Sequence, residues 1–183
     1  MEYDIITIQP TVSDAAHAAG DVMFNLTEIQ LPKRAVLLKN VFMEVAAGGG
    51  EDDTKISLLF FRDNKTPSLG TLNATANISA SGFTGNQYIG AVFLGLTDAD
   101  ARDLDVIDNT ALYYGMTVSQ YANNARGGSG TDEMILGQSR SKDFAAKNRT
   151  VLPDSVFVAG VVHSGAPDFD GTDNVKIHLH IEY

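Results

Sequence analysis

The residues just before the terminal tyrosine alternate without a break. Val175, Ile177, Leu179 and Ile181 are apolar, whereas Lys176, His178, His180 and Glu182 are polar. This is the period of two that sets one face of a strand on a core and the other toward water. A helix would scatter the four aliphatic side chains around its circumference. Similar short apolar or alternating runs occur at residues 3–8, 21–26, 35–45, 55–62, 88–96, 111–121 and 155–163, separated by clusters of Gly, Asn, Asp and Pro. β-Branched and aromatic residues are frequent in these runs, as a pleated surface favours. The pattern predicts roughly eight strands with no long helix between them, hence an all-β antiparallel sandwich or barrel.

Helical signals are few. Thr97-Asp98-Ala99-Asp100 resembles a capped first turn leading into Ala101-Arg102-Asp103-Leu104, and residues 141–148 have the composition of a second short helix. Neither carries an apolar stripe, so one or two short helices are expected. Residues 66–97 contain no charged side chain, and the first two-thirds is rich in Thr, Ser, Asn, Gly and Ala. Small polar groups are cheap to bury where charges are costly, so this stretch is expected to pack on the sandwich or on another subunit. Residues 123–130, Asn-Asn-Ala-Arg-Gly-Gly-Ser-Gly, read as a surface loop. With no internal repeat and no linker, residues 1–183 are expected to form one sandwich domain.

Composition narrows the partners. A chain of 183 residues can bury roughly 70% of the surface that it exposes when unfolded. It has no Cys, which excludes disulfide scaffolds, thiolate metal sites and cysteine nucleophiles. Thirteen Lys and Arg against 23 Asp and Glu give a net charge of −10. Nucleic-acid binders carry the opposite balance, and an anionic membrane would repel this one, so neither is expected as a partner. The N-terminus shows no basic and apolar leader. The Asn-x-Ser/Thr triplets at Asn25, Asn73, Asn77 and Asn148 are therefore read as coincidental.

Catalytic chemistry is thinly represented. The four histidines are His17, His163, His178 and His180, and no Gly-x-Ser-x-Gly elbow accompanies them; Gly127-Gly128-Ser129-Gly130 is not that motif. His178 and His180, two apart on a strand, share a face about 7 Å apart. With Glu182 they are a conceivable metal set, but the plainer reading is the polar face of the strand. Asp168-Phe169-Asp170-Gly171-Thr172-Asp173 opens like a calcium loop without the bidentate Glu expected further on. Asp98, Asp100, Asp103, Asp105 and Asp108 form a second acidic group, read as turn chemistry. Gly48-Gly49-Gly50 runs into Glu51-Asp52-Asp53, which would repel a phosphate. No catalytic, cofactor-binding or metal-binding residue is assigned, and a binding or structural module is expected rather than an enzyme.

Ala18-Ala19-Gly20-Asp21-Val22 leading into a strand, the run at 35–45, Ser57-Leu58-Leu59-Phe60-Phe61-Arg62, Asn109-Thr110-Ala111-Leu112-Tyr113-Tyr114 and the closing alternating strand resemble the layout of small virion structural proteins of tailed bacteriophages. The likeness implies a jelly-roll-like sandwich that coats or decorates the capsid as a cement protein, or sits in the tail. It also implies binding to the major capsid protein or other virion proteins, assembly as a homo-oligomer (a trimer favoured), and location in the virion after synthesis in the host cytoplasm. The uncharged stretch at 66–97 is then a candidate for subunit or shell contacts. The alternative is a receptor- or glycan-binding module of a tail fibre or tailspike, with Tyr113, Tyr114 and Tyr121 as its platform. A third reading, a metal-dependent cupin-like enzyme, needs metal on His178 and His180.

Overall fold

The computed structural model describes residues 2–46, 48–49, 54–66, 68–77, 79–95, 101–104, 110–117, 134–137, 154–169 and 171–183. In chain order the elements are β1 (Tyr3–Ile8), β2 (Val22–Gln30), β3 (Ala35–Ala46), β4 (Gly48–Gly49), β5 (Lys55–Phe61), α1 (Ala80–Gly85), β6 (Tyr88–Leu94), β7 (Ala101–Leu104), β8 (Thr110–Thr117), β9 (Met134–Gly137), β10 (Ser155–Ser164), β11 (Asp168–Phe169) and β12 (Val175–Glu182). The opening strand and the closing alternating strand fall where the pattern puts them. The second runs to Gln30, four residues beyond its expected end.

Eight strands make two antiparallel four-stranded sheets, ordered β1-β12-β3-β8 and β6-β5-β10-β2. The chain crosses between the sheets at every step from one of these strands to the next, except at the β5–β6 hairpin. This double Greek key is the jelly roll. The sheets meet along one edge through β8: Gly115 is opposite Val41 of β3 and also opposite Leu94 of β6. Shorter strands add to the margins, with β7 on β8, β9 on β3, and β4 pairing with β11.

The inner faces explain the cohesion. Val175, Ile177, Leu179 and Ile181 of β12 meet Val41, Met43 and Val45 of β3 on one side, and Phe24, Ile56, Leu58, Phe60, Val92, Leu94, Val156 and Val158 on the other. Each fully buried aliphatic or aromatic side chain contributes about 1.5–3 kcal/mol. Packing is tight enough to demand a glycine. A Cβ on Gly160 would approach Cε1 of the buried Phe24 to 2.2 Å.

One helix signal is overturned. Ala101–Leu104 is not helical but forms β7, paired with residues 110–113 of β8. A capping signal is local and worth about 1 kcal/mol, too little to outweigh a strand ladder offered by the fold. Residues 97–100 and 141–148 lie outside the described residues. The helix present in the described residues, α1, is a six-residue Ala-Ser-Gly-Phe-Thr-Gly turn with no charged cap.

Candidate functional site

Two outer sheet faces remain, and the chain treats them differently. On the second sheet, Leu26, Leu59, Phe61, Phe157, Ala159 and Val161 form an apolar outer surface. The long β5–β6 connection folds back over it, setting Leu69, Leu72, Ala76 and Phe83 onto that surface. Asn side chains hold this cover in place. Asn25 accepts from the Leu69 N–H at 2.8 Å and donates to the Gly70 carbonyl at 3.2 Å. Asn86, 1% exposed, accepts from the Thr66 N–H and donates to the Thr66 carbonyl. The absence of charge in residues 66–97 thus has a physical cause: its described part between Leu69 and Phe83 lies on an apolar sheet face.

The first sheet presents its polar alternation outward, and the residues singled out in β12 gather there. His178 lies opposite Thr7 on one side and Phe42 on the other. Its Nδ1 is 3.0 Å from Thr7 Oγ1 and its Nε2 3.4 Å from Glu44 Oε2. The Phe42 ring stacks on it at 4.4 Å, with 19° between the planes, and stands 5.4 Å from His180. Lys176 donates to Glu44 at 3.1 Å. Burial pushes the Glu44 carboxyl up, but Lys176, with His178 after it, outweighs that and holds it below the ordinary carboxylate value.

This chain of hydroxyl, imidazole and carboxylate has the atoms of a proton relay. It lies, however, on a sheet face whose backbone N–H groups run within the ladder plane, so the described strands aim no pair of backbone donors above Thr7. The conceivable metal set is only partly free: His180 Nε2 and Glu182 Oε1 are buried without a hydrogen-bond partner among the described residues. Both nitrogens of His178 are engaged, and Glu182, 5% exposed, accepts from Tyr3 Oη at 3.2 Å and pairs with Lys39 at 3.3 Å. Among the described residues no group of three or more His, Asp or Glu is arranged to hold a metal ion. These residues lie on the polar face of the strand, as the alternation predicts.

The other residues named from sequence are dispersed. His163 is exposed beyond Phe93 on the second sheet, at 6.3 Å between rings. His17 is buried edge-on against Phe169 at 5.3 Å, and neither ring nitrogen has a hydrogen-bond partner among the described residues. Burial pushes its imidazole below the ordinary 6.5, partly opposed by the Pro167 carbonyl and by Asp21. Gly48 and Gly49 pair with Phe169 and Asp168 as β4 and β11. In the acidic turn that follows, the Thr172 carbonyl accepts from the Val12 N–H at 3.0 Å. Asp103 lies opposite Ala111, Tyr113 opposite Met43 and Tyr114 opposite Phe42. Tyr121, Asp98, Asp100, Asp105, Asp108 and Asp170 lie outside the described residues, as does the loop at 123–130.

Sequence reasoning missed Phe42, Thr7 and Glu44 as neighbours of His178. Only cross-strand register joins them, and register is not written in any one segment. No helix among the described residues is long and apolar enough to cross a membrane. No family model matches the chain, and no curated protein or solved structure is significantly similar to it.

Proposed function

We propose that the protein is a structural protein of a bacteriophage virion, a capsid decoration or cement protein that binds the shell through sandwich surfaces and loops. The observation that carries this reading is the double Greek key order β1-β12-β3-β8 and β6-β5-β10-β2, an architecture used by viral capsid domains, lectins and cupins. One architecture serves several functions, so the interior and the surface carry the choice among the three. A cupin-like site needs ligands inside the sheets, whereas His178 and His180 lie on the outer face and the interior between the sheets is lined with Val, Ile, Leu, Met and Phe. A large folded face with paired charges suits adhesion to a protein surface better than turnover of a substrate.

The test is co-sedimentation of the purified chain with empty phage shells. The expected result is retention in the shell pellet at saturable stoichiometry. A chain left wholly in the supernatant, or one that pellets only with glycan-bearing host envelopes, overturns the reading, the second outcome in favour of the receptor-binding alternative.

A further inference from the structure

We infer that the outer face of the first sheet is where two copies of this chain pair, face to face about a twofold axis. The inference deepens the assembly role proposed above, on which it rests only for its biological purpose. Among the described residues, four large apolar side chains are exposed: Tyr3 at 69%, Ile5 at 53%, Ile135 at 51% and Tyr88 at 37%. The first three share the outer face of the first sheet. Tyr88 instead packs on Phe83 and Phe61 outside the other sheet.

Register makes the three residues a band rather than scattered points. Tyr3 is opposite Glu182, Glu182 is opposite Leu37, and Leu37 is opposite Ile135, so one row crosses β1, β12, β3 and β9. Ile5 follows in the next row beside His180, and Phe42 lies beyond, half-buried. The comparable apolar surface of the second sheet is covered by Leu69, Leu72, Ala76 and Phe83. Among the described residues, the chain thus covers the apolar outer face of the second sheet itself and leaves Tyr3, Ile5 and Ile135 exposed on the otherwise polar face of the first.

Charge selects the occupant. At −10 overall, the molecule repels a second copy over much of its surface. Among the described residues of this face and its rim, three pairs of opposite charges offset each other: Lys33 pairs with Glu2 at 3.5 Å, Lys39 with Glu182 at 3.3 Å and Lys176 with Glu44 at 3.1 Å. Two acidic copies meet here at the least Coulombic cost, whereas a basic partner would find no net charge to attract it. Pairing edge to edge is disfavoured, because Asp4 lies on the free edge of β1 and its Oδ1 accepts from the Ile5 N–H at 2.8 Å. Strands about 4.8 Å apart, with six residues in β1, eight in β12, a matching stretch of β3 and four in β9, give a face of roughly 400 Å² per copy, below the standard size of specific interfaces. The contact is therefore concentration-dependent. Because the same patch serves both copies, it is isologous and closes as a pair rather than the threefold ring expected from the family resemblance.

Sedimentation velocity of the full chain between ~1 and ~100 µM tests this. The mass should rise with concentration toward twice the 19.6 kDa chain. The exposed-site variant Ile5→Lys/Ile135→Lys should remain at the monomer mass with an unchanged thermal midpoint. His163→Lys, on the other outer face, should pair like the parent. A parent chain that stays monomeric throughout overturns the inference, as does a double variant that still pairs or a loss of pairing in His163→Lys alone. Growth in mass only when the major shell protein is added also overturns it, since the occupant is then not a second copy. Shell co-sedimentation reads separately: a chain that pairs but ignores shells upholds this surface and removes the virion role.

Discussion

At the scale of single residues, two buried positions set sharp expectations. Gly160 lies against the ring of Phe24, which is fully buried and cannot swing away. Gly160→Ala should therefore destabilise the fold by about 1–3 kcal/mol, an overpacking cost. Urea unfolding of the two proteins measures it, and an unchanged midpoint would show that the ring has room to move. His17 is the second position. Its imidazole is held below 6.5 when folded, so between that lowered value and 6.5 the unfolded chain binds more protons than the folded one. Stability is then fully present above 6.5 and falls as pH drops through the folded value. His17→Leu should flatten this acid-side loss in a series of thermal midpoints from neutral to mildly acidic pH. A variant with the same slope as the parent would remove His17 from that account.

At the scale of elements, the covering segment between β5 and β6 depends on a few hydrogen bonds. Asn86 satisfies both backbone groups of Thr66 from a fully buried site. Truncating it leaves those groups unpaired, at about 1–3 kcal/mol. Asn86→Ala should raise amide exchange at Leu69 and Asn77, whose N–H groups are bound to Asn25 and to the Leu69 carbonyl, by roughly tenfold or more. Equal acceleration over the whole sandwich would instead mean that the segment and the sheets open together. Legibility in sequence also divides at this scale. The alternating strand 175–182 was plain because every second residue is aliphatic. Helix α1 was not, because Ala-Ser-Gly-Phe-Thr-Gly has little intrinsic helicity and relies on tertiary contacts such as that of Phe83 with Phe61 and Tyr88. β7 misled for the converse reason: a capping signal precedes it in sequence, but β8 claims its backbone.

At the scale of the whole molecule, acidic charge and an unequal treatment of the two outer faces belong together. A particle protein has to stay soluble before assembly and adhere during it. On the proposed virion role, the net charge of −10 would serve the first need and the exposed Tyr3, Ile5 and Ile135 the second. Pairing and shell binding are expected to occupy different surfaces, so the paired form should still reach the shell pellet. The sandwich itself was legible from period-two runs and turn clusters. The assembly of Thr7, Phe42, Glu44 and His178 was not, since its members are up to 171 positions apart in the chain.

Sequence alone determined which side chains of the closing strand point inward, because alternation is a property of a strand's own backbone and needs no partner to be read. It also determined the acidic balance and the lack of charge across residues 66–97. Only the tertiary structure decided which strands adjoin, that the uncharged segment covers the second sheet, and that His178 belongs to a cross-strand polar ladder. Those outcomes depend on register and on contacts between distant segments, whose free energy appears only when the two sheets close on a common core.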